Sequence, residues 1–197
     1  MAKGDKKLET RQRIIKAASQ SFRSHGYAGI GVDGIAKAAG VTSGAFYAHL
    51  GSKNAAFDIA LRAGLDEVIQ AIPIFQKDYA ENWVEKFSEY YLSQSHRDDL
   101  ADGCAMTTLS PEVVRSGAEL QTVYESKMNQ IVNLLADGLE GSSRDDRQSR
   151  GWSLLAVLIG GLTMARAVKS TKTVKNIAAS VKNSAVSVVG AILTECN

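Results

Sequence analysis

The sequence predicts an all-α protein, an N-terminal three-helix helix-turn-helix domain followed by a larger helical body, and three observations carry that expectation. Only two prolines interrupt 197 residues, and Ala, Leu, Lys, Glu and Gln are plentiful, which favours helix over sheet. Val and Ile recur three and four positions apart rather than in strict alternation. Glycines and small capping residues cut the first 53 positions into short segments, whereas the apolar pattern afterwards runs on through long ones.

Each element follows from its local signals. From Glu9 to His25 the positions Ile14, Ile15, Ala18 and Phe22 share a helical face, with Thr10 placed to cap or start the helix and Gly26 to stop it. A short helix over Val32 to Ala39 turns Ile35, Ala36 and Ala39 inward, and Gly40 permits a sharp turn. Thr42 or Ser43 then caps a third helix to Leu50, ended by Gly51. Ser52 caps a long helix from Lys53 to Ile72, and Pro73 is expected to end it. The spacing next predicts a helix over Asn82 to Gln94 and a polar break from Asp98 to Gly103. A short helix from Cys104 to Leu109 before Pro111 and a long one from Glu119 to Leu139 follow. Beyond a charged turn at Gly141 to Asp146, two helices close the chain, Arg147 to Lys169 and Val174 to Glu195.

Composition narrows the function classes. Apolar residues make up 45% and charged residues 22%, the balance of a soluble globular chain. Residues 1–53 carry nine basic side chains against three acidic ones, a net +6, so the remainder is −4 within a total of +2. A basic head on an acidic body points to a polyanionic partner for the head, because cations placed on phosphates release counterions. Cys104 and Cys196 have no metal-ligand spacing, and the start of the chain lacks signal-peptide zoning, so a cytoplasmic setting with no metal is expected. The most apolar run, Leu154 to Ala165, is too short for a membrane span and is bracketed by Arg150 and Arg166. His25, His49 and His96 are scattered, and no phosphate loop or nucleophile pattern occurs, so no enzyme activity and no cofactor are expected.

The strongest motif is Gly26-Tyr27 followed by Val32-x-x-Ile35-Ala36-x-x-Ala39-Gly40-Val41-Thr42-x-Gly44-x-Phe46-Tyr47-x-His49-Leu50-x-Ser52-Lys53. A recognition helix needs small polar residues at its groove-facing start, an apolar inner face and donors near the flanking phosphates. Thr42, Ser43 and Ala45 suit the first role, Phe46 and Leu50 the second, and Tyr47, His49 and Lys53 the third. The pattern resembles the DNA-binding domain of TetR/AcrR-family regulators. That resemblance implies that the third helix enters the major groove of double-stranded DNA and that Tyr47 and Lys53 lie against the backbone. The chain departs from the family at Gly31, where a Ser or Thr usually caps the second helix and touches a phosphate; Lys37 is a candidate compensating charge.

The resemblance also implies a boundary near residue 52, with 53–197 forming an effector-binding and dimerisation domain. Trp83, Phe87, Tyr90, Tyr91, Met106, Tyr124, Met128 and Trp152 are then candidates to line a pocket for a flat or apolar small molecule, against the alternative of ordinary core packing. Asp102-Gly103-Cys104-Ala105-Met106 resembles a Gly-Cys segment of one branch of the family, which implies that Cys104 faces the effector or responds to electrophiles; a buried, inert thiol is the alternative. Small residues on several faces of the last two helices, among them Ala156, Gly160, Ala178, Ala185 and Val189, suit a homodimer interface. The expected protein is a dimeric repressor on a near-palindromic operator, released by a small-molecule effector, with a thiol-based sensor acting through Cys104 as the alternative.

Overall fold

The computed structural model describes residues 3–141 and 143–190. Among them the regular structure is helical throughout: α1 Lys3–His25, α2 Val32–Ala38, α3 Ser43–Leu50, α4 Lys53–Tyr79, α5 Trp83–Tyr91, α6 Gln94–Asp98, α7 Ala105–Val114, α8 Ala118–Asp137, α9 Arg144–Ala167 and α10 Thr171–Gly190, with one 3-10 turn at Ala80–Asn82. The described residues form two compact units, the first within 3–65 and 100–124 and the second within 66–99, 125–141 and 143–190. Helices α4 and α8 each contribute residues to both.

The first unit is built around aromatic and aliphatic side chains that the helical spacing brings to one side of each element. Ile14, Ala18 and Phe22 of α1, Ile35 of α2, Phe46 of α3, Leu61 and Leu65 of α4, and Met106 and Leu109 of α7 are fully or almost fully buried. Phe57 meets Phe22 edge to face at 5.2 Å, which fixes the start of α4 against α1. Two polar links join α1 to the segment ahead of α7. The buried Arg23 donates from Nη1 to the Gly103 carbonyl at 3.0 Å, and Gln20 donates to the Asp102 carboxylate at 2.9 Å.

The second unit packs α10 along α9 and α5, with Leu154, Leu155, Leu158 and Leu162 of α9 and Val181 and Ala185 of α10 inside. Gly161 lets the α9–α10 pair approach closely, because a Cβ there would stand 2.5 Å from Val181 Cγ2. Trp83 donates its indole N–H to the Gly138 carbonyl at 2.9 Å. The buried Arg150 pairs with Asp146 at 2.7 Å and also donates to the carbonyls of Glu140 and Val189, so both of its Nη groups are paired inside the fold while its Nε is buried without a hydrogen-bond partner.

Several boundaries differ from the sequence expectation. Helix α1 begins at Lys3, not Glu9, and Thr10 lies inside it, where its hydroxyl donates to the Lys6 carbonyl at 2.8 Å. Pro73 does not end α4: it sits on the exposed side, so water can serve the carbonyl it leaves unpaired, while Ile72 continues the buried face. The helix stops instead where Ala80 turns to φ 45°. Pro111 is likewise exposed within α7, which runs on to Val114. The helix expected over Asn82 to Gln94 is interrupted: α5 closes after Tyr91, and Ser93, accepting from the His96 N–H at 3.3 Å, starts α6, which runs on to Asp98, where the polar break was expected to begin. Helix α9 begins at Arg144 because Ser143 caps it, accepting from the Asp146 N–H at 3.1 Å. The expected end of the last helix, to Glu195, and Cys196 lie outside the described residues.

Candidate nucleic-acid interface and clefts

Helix α3 is shaped by its two ends and one buried side. Thr42 has extended backbone and its hydroxyl accepts from the Ala45 N–H at 3.2 Å, satisfying one of the free amides of the first turn. Gly40 at φ 64° and Gly51 at φ 79° supply the left-handed turns on either side of the α3 segment. Phe46 at 0% and Leu50 at 5% exposure hold the inner side, which leaves Tyr47 projecting with 51% of its surface exposed. Gly44 and Ala48 share that exposed side, and Ser43, Ala45 and His49 are half-buried. The Nδ1 of His49 is buried without a hydrogen-bond partner.

Two contacts brace this surface. The Ser43 hydroxyl donates to the Asp33 carboxylate, which ties the start of α3 to α2, so Ser43 acts at least partly as a strut between the two helices. Lys53 begins α4 and holds its ammonium 4.3 Å above the Tyr27 ring, a cation–π contact that aims the charge without neutralising it. Tyr27 is fixed in turn by its hydroxyl, which donates to Asn54 Oδ1, and by Phe57 edge-on at 5.3 Å. Ser52 caps α4, accepting from the Ala55 N–H at 3.0 Å. Gly31 caps α2 with no side-chain bond, as the missing hydroxyl requires, and Lys37 is exposed in the last turn of that helix. Sequence reasoning left Asp33 and Asn54 without roles and used Tyr27 only as part of a motif. The signal for a Tyr27–Lys53 pair is absent from local spacing, because Tyr27 lies in the turn after α1 and Lys53 begins α4.

The remaining candidates divide between the units. In the second, Trp83, Phe87, Tyr91 and Met128 are buried, with Phe87 5.9 Å from Tyr91 and 6.5 Å from Trp83. Phe75 completes the cluster 5.3 Å from Phe87, and His96 lies 5.2 Å from Tyr91. No sequence signal pointed to Phe75, because it follows Pro73, where the helix was expected to have ended. Tyr90 and Trp152 are exposed at 48% and 44%. In the first unit, Cys104 is a buried cysteine outside any disulfide at the N-cap of α7, Met106 is fully buried, and the half-buried Tyr124 shares a 2.7 Å hydrogen bond with Ser110. Burial holds the Tyr124 phenol above its ordinary pKa, and its hydrogen bond to Ser110 only partly offsets that. On the last two helices, Ala185 is consumed by packing within the chain, Ala156 is exposed, and Gly160, Ala178 and Val189 are half-buried.

The first unit also holds a cleft of about 670 Å³, lined by Tyr27, Asn54, Phe57 and Asp58 on one side and by Glu112, Arg115 and the start of α8 on the other. None of its lining residues belongs to the aromatic group expected to receive an effector. Among the described residues no helix is long and apolar enough to cross a membrane, and no three His, Cys, Asp or Glu side chains gather to hold a metal ion.

Comparison with known proteins places α2, α3 and the start of α4 within a recognised domain. Residues 14–60 match the family model for bacterial regulatory proteins of the tetR family. The HTH-type transcriptional repressor NemR of Escherichia coli strain K12 is 23% identical over 185 residues, covering 89% of this chain and 93% of that repressor. The repressor DhaR of Mycobacterium sp. strain GP1 is 29% identical over 143 residues, 69% of this chain and 71% of DhaR. Among solved structures, the reduced form of E. coli NemR superposes with a TM-score of 0.71 at 21% identity, covering 89% of this chain and 96% of that one. A TetR-family regulator from Cytophaga hutchinsonii gives 0.78 at 18% identity, covering 96% and 98%. At such identities the structures speak to the fold alone.

Proposed function

The chain belongs to the tetR family of bacterial regulatory proteins, and from that premise we propose that it is a homodimeric transcriptional repressor whose two α3 helices read the half-sites of a near-palindromic operator. The observation that carries this reading is the capped α3, whose buried Phe46 and Leu50 lock its angle and leave Tyr47 projecting beside the aimed ammonium of Lys53. Thr42, Ser43 and Ala45 face the groove at the start of the helix, Tyr47, His49 and Lys53 meet flanking phosphates, and Lys37 supplies a charge where Gly31 offers no hydroxyl. The relatives NemR and DhaR are named as repressors, which supports repression over activation.

The dimer is assigned to α9 and α10. Their outer sides leave Trp152, Ala156, Met164 and Val186 exposed, and a Cβ at Gly160 would meet nothing within 4 Å, so a second helix has room to approach. A flat apolar effector fits the aromatic cluster of Trp83, Phe87 and Tyr91, and release from the operator requires that it bind the non-operator conformation more tightly. The test is binding of the intact protein to DNA from immediately upstream of its own gene across a salt series, beside Tyr47→Phe. Tight binding that falls with salt and weakens about a hundredfold in Tyr47→Phe, the loss of one hydrogen bond to a charged phosphate in each half-site at about 1.5 kcal/mol apiece, is expected. Binding to that DNA no stronger than to unrelated DNA, and indifferent to salt, would overturn the reading.

A further inference from the structure

The cleft beside Tyr27 has the size of a small-molecule site, about 670 Å³, and its lining is chemically one-sided. Three carboxylates face it, Asp58, Glu112 and Glu119, against one guanidinium, Arg115. Asp58 is already held by Arg62 at 2.9 Å. Glu112 is the poorly served member. Its side chain is only 21% exposed, and its ion-pair partner Arg115 stands 3.6 Å away with 69% of its own side chain in solvent, where screening leaves little of the attraction. A carboxylate so far withdrawn from water gains from a closer donor.

The Oε1 of Glu112 leans over Gly26 just past the C-terminus of α1, 2.8 Å from where a Cβ would stand. The positive end of α8 also reaches the cleft, but Glu119 occupies its first turn and answers it. Tyr27, Phe57 and Leu120 supply the apolar surface.

We propose that this cleft is a small-molecule site distinct from the aromatic cluster of the body, and that it takes an organic cation carrying a flat apolar ring, with the cation on Glu112 and the ring against Tyr27 and Leu120. Occupancy reaches the DNA-contacting surface by a short route. The ligand's ring competes with the Lys53 ammonium for the Tyr27 ring and disturbs the Tyr27–Asn54 hydrogen bond, which turns Lys53 away from its phosphate. The regulatory half rests on the DNA-binding reading; the binding half does not.

The experiment is calorimetric titration of the full-length protein, without DNA, with 2-naphthylmethylammonium and its size-matched neutral and anionic counterparts, 2-naphthylmethanol and 2-naphthoate. The ammonium compound is expected to bind at least tenfold more tightly than either. Glu112→Gln should weaken it tenfold or more, and Leu120→Trp, which fills the cleft, should abolish it, both judged in proteins that melt as the parent does. Glu119→Gln, at an exposed position with no packing role, is the second charge variant and should weaken binding by a smaller factor. Naphthoate binding as tightly as the ammonium compound, or ammonium binding unchanged in Glu112→Gln and Glu119→Gln, would overturn the site. Saturating ammonium compound should then lower affinity for the upstream DNA severalfold; an unchanged affinity would overturn the route through Lys53 while leaving the site standing. Absence of DNA binding altogether would remove the repressor reading without touching the calorimetric result.

Discussion

Gly161 is where the closeness of α9 and α10 can be put to a number. A Cβ at this position would lie 2.5 and 2.6 Å from the two γ-carbons of Val181 and 3.1 Å from its β-carbon, and Val181 is 7% exposed. A valine in a helix has essentially one side-chain rotamer, so it cannot swing aside and α10 itself must shift. Overpacking of this kind costs about 1–3 kcal/mol. Replacing a helical glycine by alanine returns about 1 kcal/mol of backbone entropy, so Gly161→Ala should destabilise by roughly 0–2 kcal/mol. Val181→Ala alone removes two buried methyl groups and should cost about 1.6 kcal/mol. In the double variant the new methyl occupies space the γ-carbons have left. Its cost should therefore fall below the sum of the two by the whole steric term, about 1–3 kcal/mol. Guanidinium unfolding of all four proteins at one fixed concentration, which holds any contribution of self-association constant, measures this. Effects that add to within about 0.5 kcal/mol would refute the described contact between Gly161 and Val181.

Lys53→Ala should flatten the dependence of log affinity on log salt by about 0.9 for each phosphate no longer neutralised, twice that for a dimer, while lowering folding stability by no more than the ~1 kcal/mol of an exposed cation–π pair. An unchanged salt slope in an anisotropy titration would move Lys53 off the phosphate. Tyr124 gives a pH signature. Its phenol is held above its ordinary value of 10.0 chiefly by burial, so the unfolded chain loses this proton more readily than the folded one. Stability contributed by the neutral phenol is therefore full below the unfolded pKa and declines as pH rises beyond it toward the folded one. Thermal melts between pH 9 and about 11 should show an alkaline fall that Tyr124→Phe reduces; an identical fall in the variant would assign it elsewhere.

The helix-turn-helix was legible because its signals are local. Gly40, Thr42 and Gly51 each act within one turn of the residue that names them, and the structure shows the conformations and the cap bond those residue types require. Pro73 and Pro111 misled for a related reason. Proline's local cost is real, but whether it ends a helix depends on whether the orphaned carbonyl can reach water, and that is set by which side of the helix the rest of the fold covers. Long-range pairs were beyond reach altogether. Nothing near Lys53 announces Tyr27, nothing near Glu112 announces Gly26, and the α3 serine read as a groove contact turned out also to hold Asp33. The charge asymmetry of the head was visible at once, whereas the opposite asymmetry of the cleft needs residues from two distant stretches of sequence.

Arg23 bears on how such heads are exchanged between regulators. The guanidinium leaves the motif-bearing segment and closes on the carbonyl of Gly103, eighty positions downstream, while Gln20 reaches Asp102 beside it. The recognisable domain, residues 14–60, is thus shorter than the compact unit it belongs to. A chimera spliced at residue 52 would transplant the reading helix without the carbonyl that receives Arg23, leaving a buried cation facing whatever the new host presents. The portable cassette in this architecture is discontinuous, and a graft that carries residues 100–124 along with the head keeps its internal wiring.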